Sequence, residues 1–472
     1  MSQGTAPATA PSEGYRTGKV VGLAATAAIG GFLFGFDSAV INGANQAIKE
    51  TFGLSDFAIG WVVSIALIGS AIGAWFAGGL ADRFGRRRVM LIAAALFAVS
   101  GVGTAFPFGV WDLMFWRLVG GAGIGIASVI APMYIAEIAP AALRGRLGSL
   151  QQLAIVIGIF TTGLTNYLIL LAAGDDTAPW LFGIEAWQWM FLVEVIPALI
   201  YFVLAWRLPE SPRYLVSEGR TDEALAVLST VFTSDQHAKV AEIERTLAGD
   251  HKPRFSDLKG GRFGLLPIVW VGIILSVLQQ FVGINAVFYY SNLIWESVGF
   301  TADQAFQTSM ITNLINVATT LVAIALIDRI GRKPLLLIGS IGMVVTLLTL
   351  TIIFGTAPVV DGKPSLVDGP DLVAVAAFNL YVVFFGMSWG PVVWVLLGEM
   401  FPNRLRAAAL AIAASAQWMA NWVVSTSFPS LAGISLALAY GLFTLFAALS
   451  IWFVVTKIKE TKGRELESMA ST

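Results

Sequence analysis

The feature that most limits how this chain can fold is a recurring apolar stretch of about 20 residues, enough for a helix to cross about 30 Å of hydrocarbon. Twelve such stretches occur, near residues 19–44, 58–81, 88–109, 111–137, 147–173, 189–207, 263–293, 304–327, 333–355, 372–399, 405–427 and 431–455. Only 12% of the 472 residues are charged and 57% are hydrophobic, against about 25% charged in an ordinary soluble domain. Lipid offers backbone groups no water, so a spanning segment must satisfy its own hydrogen bonds as a helix or a closed barrel. These lengths predict helices. The expected fold is an all-α membrane protein with twelve transmembrane helices.

Charge placement orients it. With the N-terminus in the cytoplasm, every one of the 29 Lys and Arg except Lys49, Lys363 and Arg117 falls on the cytoplasmic side. The excess of basic residues in cytoplasmic loops then predicts both termini inside. The net charge of −1 singles out no partner, and no nucleic-acid role is expected. Residues 1–18, rich in Ala, Pro, Ser and Thr, read as a flexible tail. The first span is too long for a signal peptide and has no clear cleavage site. The absence of cysteine excludes disulfides, thiolate chemistry and Cys-based metal sites; no metal or cofactor is expected.

A polar segment from Pro209 to about Gly261 separates six spans from six. It divides the chain into an N-terminal bundle (19–207), a cytoplasmic helical linker (208–262), a C-terminal bundle (263–455) and a tail (456–472). Within the linker, "EGRTDEALAVLSTVF" and "QHAKVAEIERTLA" have the pattern of short amphipathic helices. The halves repeat each other: "LADRFGRRR" (80–88) is echoed by "LIDRIGRKP" (326–334), and "EIAPAALR" (137–144) by "EMFPNRLR" (399–406). Related repeats around a central cavity mark secondary transporters. The same alignment sets "FGFDSAV" (34–40) against "VGINAVF" (282–288), so Asp37 stands opposite Asn285. One half has a titratable group where the other has a neutral amide.

Asp37 lies 18 residues beyond Lys19, a climb of about 27 Å along a helix, and Arg117 about 9 Å down the fourth span. Both fall in the outer half of the bilayer at depths that permit pairing. A lone charge near the bilayer centre costs about 2.5–3.5 kcal/mol or more, so each gives the other a reason to be there. Burial opposes the charge on Asp37 and Arg117 favours it, so their separation sets whether the carboxylate keeps a proton. That is the requirement for a proton-coupled switch; a permanent structural ion pair is the other reading. Glu194 is the remaining carboxylate deep within a span and reads as a neutral, hydrogen-bonded packing residue. The two histidines, His237 and His251, lie in the linker and carry no proton across the membrane.

Seven amides are spread over both halves: Gln152, Gln279, Gln280, Asn285, Asn316, Gln417 and Asn421. An amide both donates and accepts, as vicinal sugar hydroxyls require. Phe34, Tyr289, Trp394 and Trp418 can cover the C–H faces of a pyranose. A single amide in a span often does no more than bridge helices; the set with its aromatics points to a polyol site. Gly283 and the Gly390–Pro391 pair predict breaks in spans seven and ten, where free backbone groups are tolerated if they line a cavity. Charged echoes face the cytoplasm: Asp82, Arg83, Arg87, Glu137 and Arg144 in one half, Asp328, Arg329, Arg332, Glu399 and Arg406 in the other. Topology and helix capping account for the basic residues. Acids at repeated spacings add the expectation of salt bridges that close the cytoplasmic side.

The motifs "GGLADRFGRR" (78–87), "PESPRYL" (209–215), "QQFVGINAVFYYS" (279–291), "GPVVW" (390–394) and "ETKGRELE" (460–467) together resemble the sugar porters of the major facilitator superfamily. The resemblance runs from about Lys19 to Glu467 and is nearest to bacterial proton-coupled glucose permeases. It implies two six-helix bundles working by alternating access in a bacterial plasma membrane, as a monomer. Its substrate would be a monosaccharide, glucose first, moving with protons. It places Gln152, Gln279, Gln280, Asn285, Trp394, Gln417 and Asn421 on the sugar, with Asn316 a further contact and Phe34, Tyr289 and Trp418 as cavity aromatics. Asp37 and Arg117 match the proton-coupling pair, and Glu210 and Arg213 of "PESPRYL" join the cytoplasmic gate. Gly386 replaces a glutamate of animal facilitators, Lys459 replaces the usual proline of "PETKG", and Ile159 is apolar where a pentose carrier has Gln.

A facilitative uniporter with the same pocket is the nearest rival. A sugar sensor would need a long cytoplasmic module, and only 17 residues follow Val455. No G-x-x-x-x-G-K-[ST] loop supports an ATP-driven pump, and no enzyme is expected.

Overall fold

The computed structural model describes residues 14–233, 236–249, 258–260, 264–360, 363–366, 371–401 and 405–461. The N-terminal half begins with helices α1 (Thr17–Thr51), α2 (Asp56–Phe84), α3 (Arg86–Ala105), α4 (Val110–Ile138) and α5 (Ala141–Ala173). Its sixth span is a broken pair, α6 (Ala186–Leu192) and α7 (Val195–Arg207). The linker carries α8 (Pro212–Ser217), α9 (Thr221–Val231) and α10 (Gln236–Gly249). In the second half α11 (Pro267–Phe281) and α12 (Ile284–Ser297) share one span, followed by α13 (Ala302–Ile330) and α14 (Arg332–Thr356). Then come the broken span α15 (Asp371–Gly386) and α16 (Trp389–Met400), and finally α17 (Arg406–Ile434) and α18 (Leu436–Lys457). Eleven of these segments are long and apolar enough to cross a membrane; α17, with 29 residues, is of spanning length too.

Several boundaries differ from the sequence reading. Helix α1 runs on through Ala47, Ile48 and Lys49 to Thr51, and α17 to Ile434. Asp37 therefore stands just on the outer side of the midpoint of α1. Residues 14–16, expected in a flexible tail, are pinned to the linker: Arg16 N–H donates to the Val231 carbonyl at 2.8 Å.

Small residues bring the helices close enough to place charges. Without a hydrophobic driving force in lipid, helix contacts rest on close backbone approach. At the α1–α5 crossing Gly35 faces the Ile155 carbonyl, and Gly158 faces the Phe32 carbonyl at a range that no Cβ could share. The outward-turned belt is apolar, with Trp75, Phe76, Ile196, Leu199 and Trp452 exposed, as lipid contact requires.

The two halves meet along seams near the face opposite the basic loops. Gly60 of α2 abuts the Thr426 carbonyl of α17, and Thr426 donates to Ser64 at 2.7 Å. Gln307 of α13 donates to the Tyr167 hydroxyl of α5 at 3.0 Å.

Candidate functional site

Breaks in three spans build the centre. The span-seven break falls at Gly283, whose φ of +91° suits a residue without Cβ; the Val282 carbonyl it frees accepts from the Tyr381 hydroxyl at 2.8 Å. In span ten the break lies between Gly386 and Trp389, not at Gly390–Pro391. Pro391 sits in the first turn of α16, where its missing N–H would have had no helical partner anyway. The sixth span, read as continuous in the sequence, breaks at Val193–Glu194, because Pro197 has no N–H to bond the Val193 carbonyl four residues back.

The amides gather around the breaks. Gln279 donates to the Trp389 carbonyl at 2.8 Å, Gln280 to Gln279 Oε1 at 3.4 Å, and Asn285 to Gln280 Oε1. Gln279 thus ties the two broken spans together. Asn421 Oδ1 accepts from Ser425 at 3.0 Å, while Gln417 Oε1 is buried without a partner among the described residues. Asn316 is buried beside Gly386, where an added Cβ would stand 3.4 Å from its Oδ1. Phe34 and Trp418 meet across the two halves with ring centroids 6.0 Å apart. Gln152 is half-buried and Trp394 is 42% exposed.

The charged pair lies next to it. Arg117 Nη1 donates to Asp37 Oδ1 at 2.9 Å and to the Asp37 carbonyl at 3.3 Å, with the residues 2% and 1% exposed. Asp37 Oδ2 and Arg117 Nε have no partner among the described residues. Gly120 clears the space: a Cβ there would lie 2.9 Å from Asp37 Oδ2. Tyr289 lines the same small space as Ser38 and Arg117, with its hydroxyl within reach of both Ser38 and Asn421, so one side chain spans from the neighbour of Asp37 to the amide cluster. Glu194 is fully buried within electrostatic reach of Asp37 and Arg117. The sequence reading gave it a hydrogen bond; both its oxygens lack one among the described residues.

On the basic face the sequence repeat becomes a structural one. Arg86 grips Glu137 (Nε–Oε2 3.0 Å, Nη2–Oε1 2.9 Å), and Glu137 accepts from Ser211. Glu210 accepts from the Arg86 and Arg87 N–H groups at 2.8 and 3.2 Å, capping α3. In the second half Arg332 grips Glu399 at 3.0 and 2.7 Å, Glu399 accepts from Thr461, and Glu460 caps α14 through Arg332 and Lys333. Among the described residues the first network ties the N-terminal bundle to the linker and the second ties the C-terminal bundle to the tail. The sequence reading passed over Arg86, Ser211, Glu460 and Thr461; the parallel of "PES" with "KET" was the available signal. Asp82 approaches Arg86 at 3.5 Å and is largely exposed, and Arg83 lies over the Phe84 ring. Arg87 contributes its backbone, Arg213 is half-buried and Arg329 exposed. The side chains of Arg144, Asp328 and Arg406 lie outside the described residues.

The model of the family described as "Sugar (and other) transporter" matches residues 23–472. The chain belongs to this sugar transporter family. It is 55% identical over 466 residues to a glucose transport protein of Synechocystis sp., covering 98% of this chain and 100% of that one. It is 39% identical to the D-xylose-proton symporter of Escherichia coli, covering 96% of each. The inward-open structure of the xylose transporter XylE from E. coli superposes with a TM-score of 0.81 at 36% identity, over 96% of this chain and 99% of that one. This sugar transporter therefore has the major facilitator fold, and its seams closed opposite the basic face agree with that similarity.

Proposed function

We propose that this sugar transporter imports a hexose, glucose first, together with protons by alternating access. The observation that carries the reading is the buried Asp37–Arg117 pair, joined to the amide cluster through Tyr289. Protonation of Asp37 weakens its hold on Arg117, favours sugar binding from outside and permits the change to the inward-facing form. Loss of the proton after sugar release resets the pair. The glucose assignment draws on the Synechocystis relative, and the coupling on the xylose–proton symporter.

In this reading the basic face is cytoplasmic, with both termini, and the protein works as a monomer in the plasma membrane. The bundles 19–207 and 263–455 are the moving bodies. Gln152, Gln279, Gln280, Asn285, Asn316, Trp394, Gln417 and Asn421 hold the sugar, with Phe34, Tyr289 and Trp418 around it. The charged residues of the basic face hold each bundle's cytoplasmic end rigid and close that side in the outward-facing form. The test is a sugar-evoked proton flux. Glucose added to weakly buffered proteoliposomes should alkalinise the medium, with galactose and xylose weaker; sugar entry with no pH change would leave a uniporter.

A further inference from the structure

Among the described residues, the bonds closing the outer side include a compact amide group that the sugar and proton sites do not use. Asn42 and Asn45 lie on α1, about one and a half and two turns beyond Asp37. Asn42 Nδ2 donates to Ser291 Oγ at 2.9 Å, and Asn42 Oδ1 accepts from the Asn292 N–H at 3.2 Å. Asn292 Nδ2 returns to the Asn42 carbonyl at 3.4 Å. Asn45, 1% exposed, donates to the Tyr289 carbonyl. Ser309 of α13 backs the group by bonding Ser291 and donating to Asn292 Oδ1.

Two facts set this group apart from ordinary helix packing. The Asn42 and Asn45 side chains grip backbone groups of α12 across the two halves, so the bonds fix that helix's position and not merely a side chain. The residue whose carbonyl is held, Tyr289, is also the one whose hydroxyl reaches Ser38 and Asn421. If α12 leaves α1 when the outside opens, every bond from Asn42 and Asn45 to α12 breaks at once.

We propose that Asn42 and Asn45 form a latch, positioning residues that hold the outer gate closed and set the ratio of inward- to outward-facing protein. The inference rests on the alternating-access reading but not on proton coupling. The amides are neutral, so the latch itself is indifferent to pH. It couples to Asp37 because both ride on α1.

The absence of cysteine in the native chain makes the test clean. Phe288, 8% exposed, lines the same seam as Asn42, Asn292 and Asn313. In a Phe288→Cys parent that still exchanges sugar, labelling by a charged maleimide reports outer opening with neither sugar nor gradient. Adding Asn42→Ala should raise the labelling rate about tenfold, equivalent to about 1.4 kcal/mol. The same substitution in the wild-type background should lower the external half-saturation concentration for sugar and raise the internal one. A merely structural defect would cut the maximal rate without moving these two in opposite directions. Separately, an Asn42→Cys/Asn292→Cys pair should stop transport when oxidised and recover it on reduction, which decides the matter even if the alanine variant fails to fold. Labelling within twofold of the parent, or transport that continues through the cross-linked pair, would overturn the latch. A sugar-evoked proton flux that fails while the latch results hold would refute the coupling alone.

Discussion

Replacing Arg117 with leucine should strand Asp37, and the cost can be worked from the site. The carboxylate is 1% exposed, its Oδ1 bonded to Arg117 at 2.9 Å and its Oδ2 unpartnered among the described residues. Without the guanidinium the folded protein can keep Asp37 only by protonating it. Neutralising a carboxylate of ordinary pKa about 3.9 at pH 7 costs about 1.36 kcal/mol per pH unit, or about 4 kcal/mol. That agrees with the roughly 3–5 kcal/mol typical of breaking a buried pair. The sign follows from linkage: the variant binds a proton on folding, so its stability is recovered as pH falls towards 4 and lost as pH rises. Asp37→Asn/Arg117→Leu, with neither charge, should lose most of this dependence. The assay is the fraction of detergent-purified protein that remains monodisperse after a fixed heating step, between pH 4.5 and 8. A single variant as stable as wild type at pH 7.5, or a double variant no better than the single, would refute the reasoning.

Other substitutions test the scaffold. Gly158→Val places a side chain against the Phe32 carbonyl at the α1–α5 crossing and should abolish monodisperse protein on size-exclusion chromatography, with a loss of about 3 kcal/mol or more. Glu460→Ala removes the carboxylate that caps α14 at 3.0 and 2.9 Å and should cost about 1–2 kcal/mol, read as a lower melting temperature; Glu210→Ala should do the same through α3. Asp176, in the loop after α5, is pushed up to about 6 by burial and by the neighbouring Asp175 and Glu50 carboxylates. Its stabilising contribution is present at low pH and fades as pH rises through about 6, so melting at pH 5 should exceed that at pH 7.5 by a margin that Asp176→Asn reduces.

The spans were legible because lipid imposes one rule on every residue in them: an apolar stretch must be long enough, whatever it packs against. Their ends were less so. Past residue 44 the polar Asn45, Gln46, Lys49 and Glu50 hide the apolar stripe of Ala47 and Ile48, which is fully buried and carries α1 onward. The break in span ten falls at Met387–Ser388, one turn before Pro391, because a proline offers no N–H to the carbonyl four residues back and crowds it; Gly390–Pro391 signalled the break but not its position. In "RFGRRR" three consecutive arginines conceal which one faces Glu137; the phase is set by α3 starting directly after Gly85, and it selects Arg86. Ser291 and Asn292 lie about 250 positions from Asn42, a distance no local pattern encodes. Glu194 read as a packing residue because its proximity to Arg117 depends on the break at Val193–Glu194, whose one signal is Pro197, a residue with no N–H to offer the Val193 carbonyl four positions back.

The central claim is that proton movement through Asp37 drives sugar uphill. The measurement that tests it most directly is labelled glucose uptake into proteoliposomes under an imposed inward proton gradient, for wild type and Asp37→Asn. Wild type should accumulate sugar above equilibrium and lose that excess on adding an ionophore, while the variant retains sugar exchange alone. Wild type that only equilibrates sugar, with the variant doing the same, would make Asp37–Arg117 a structural pair and the protein a facilitator.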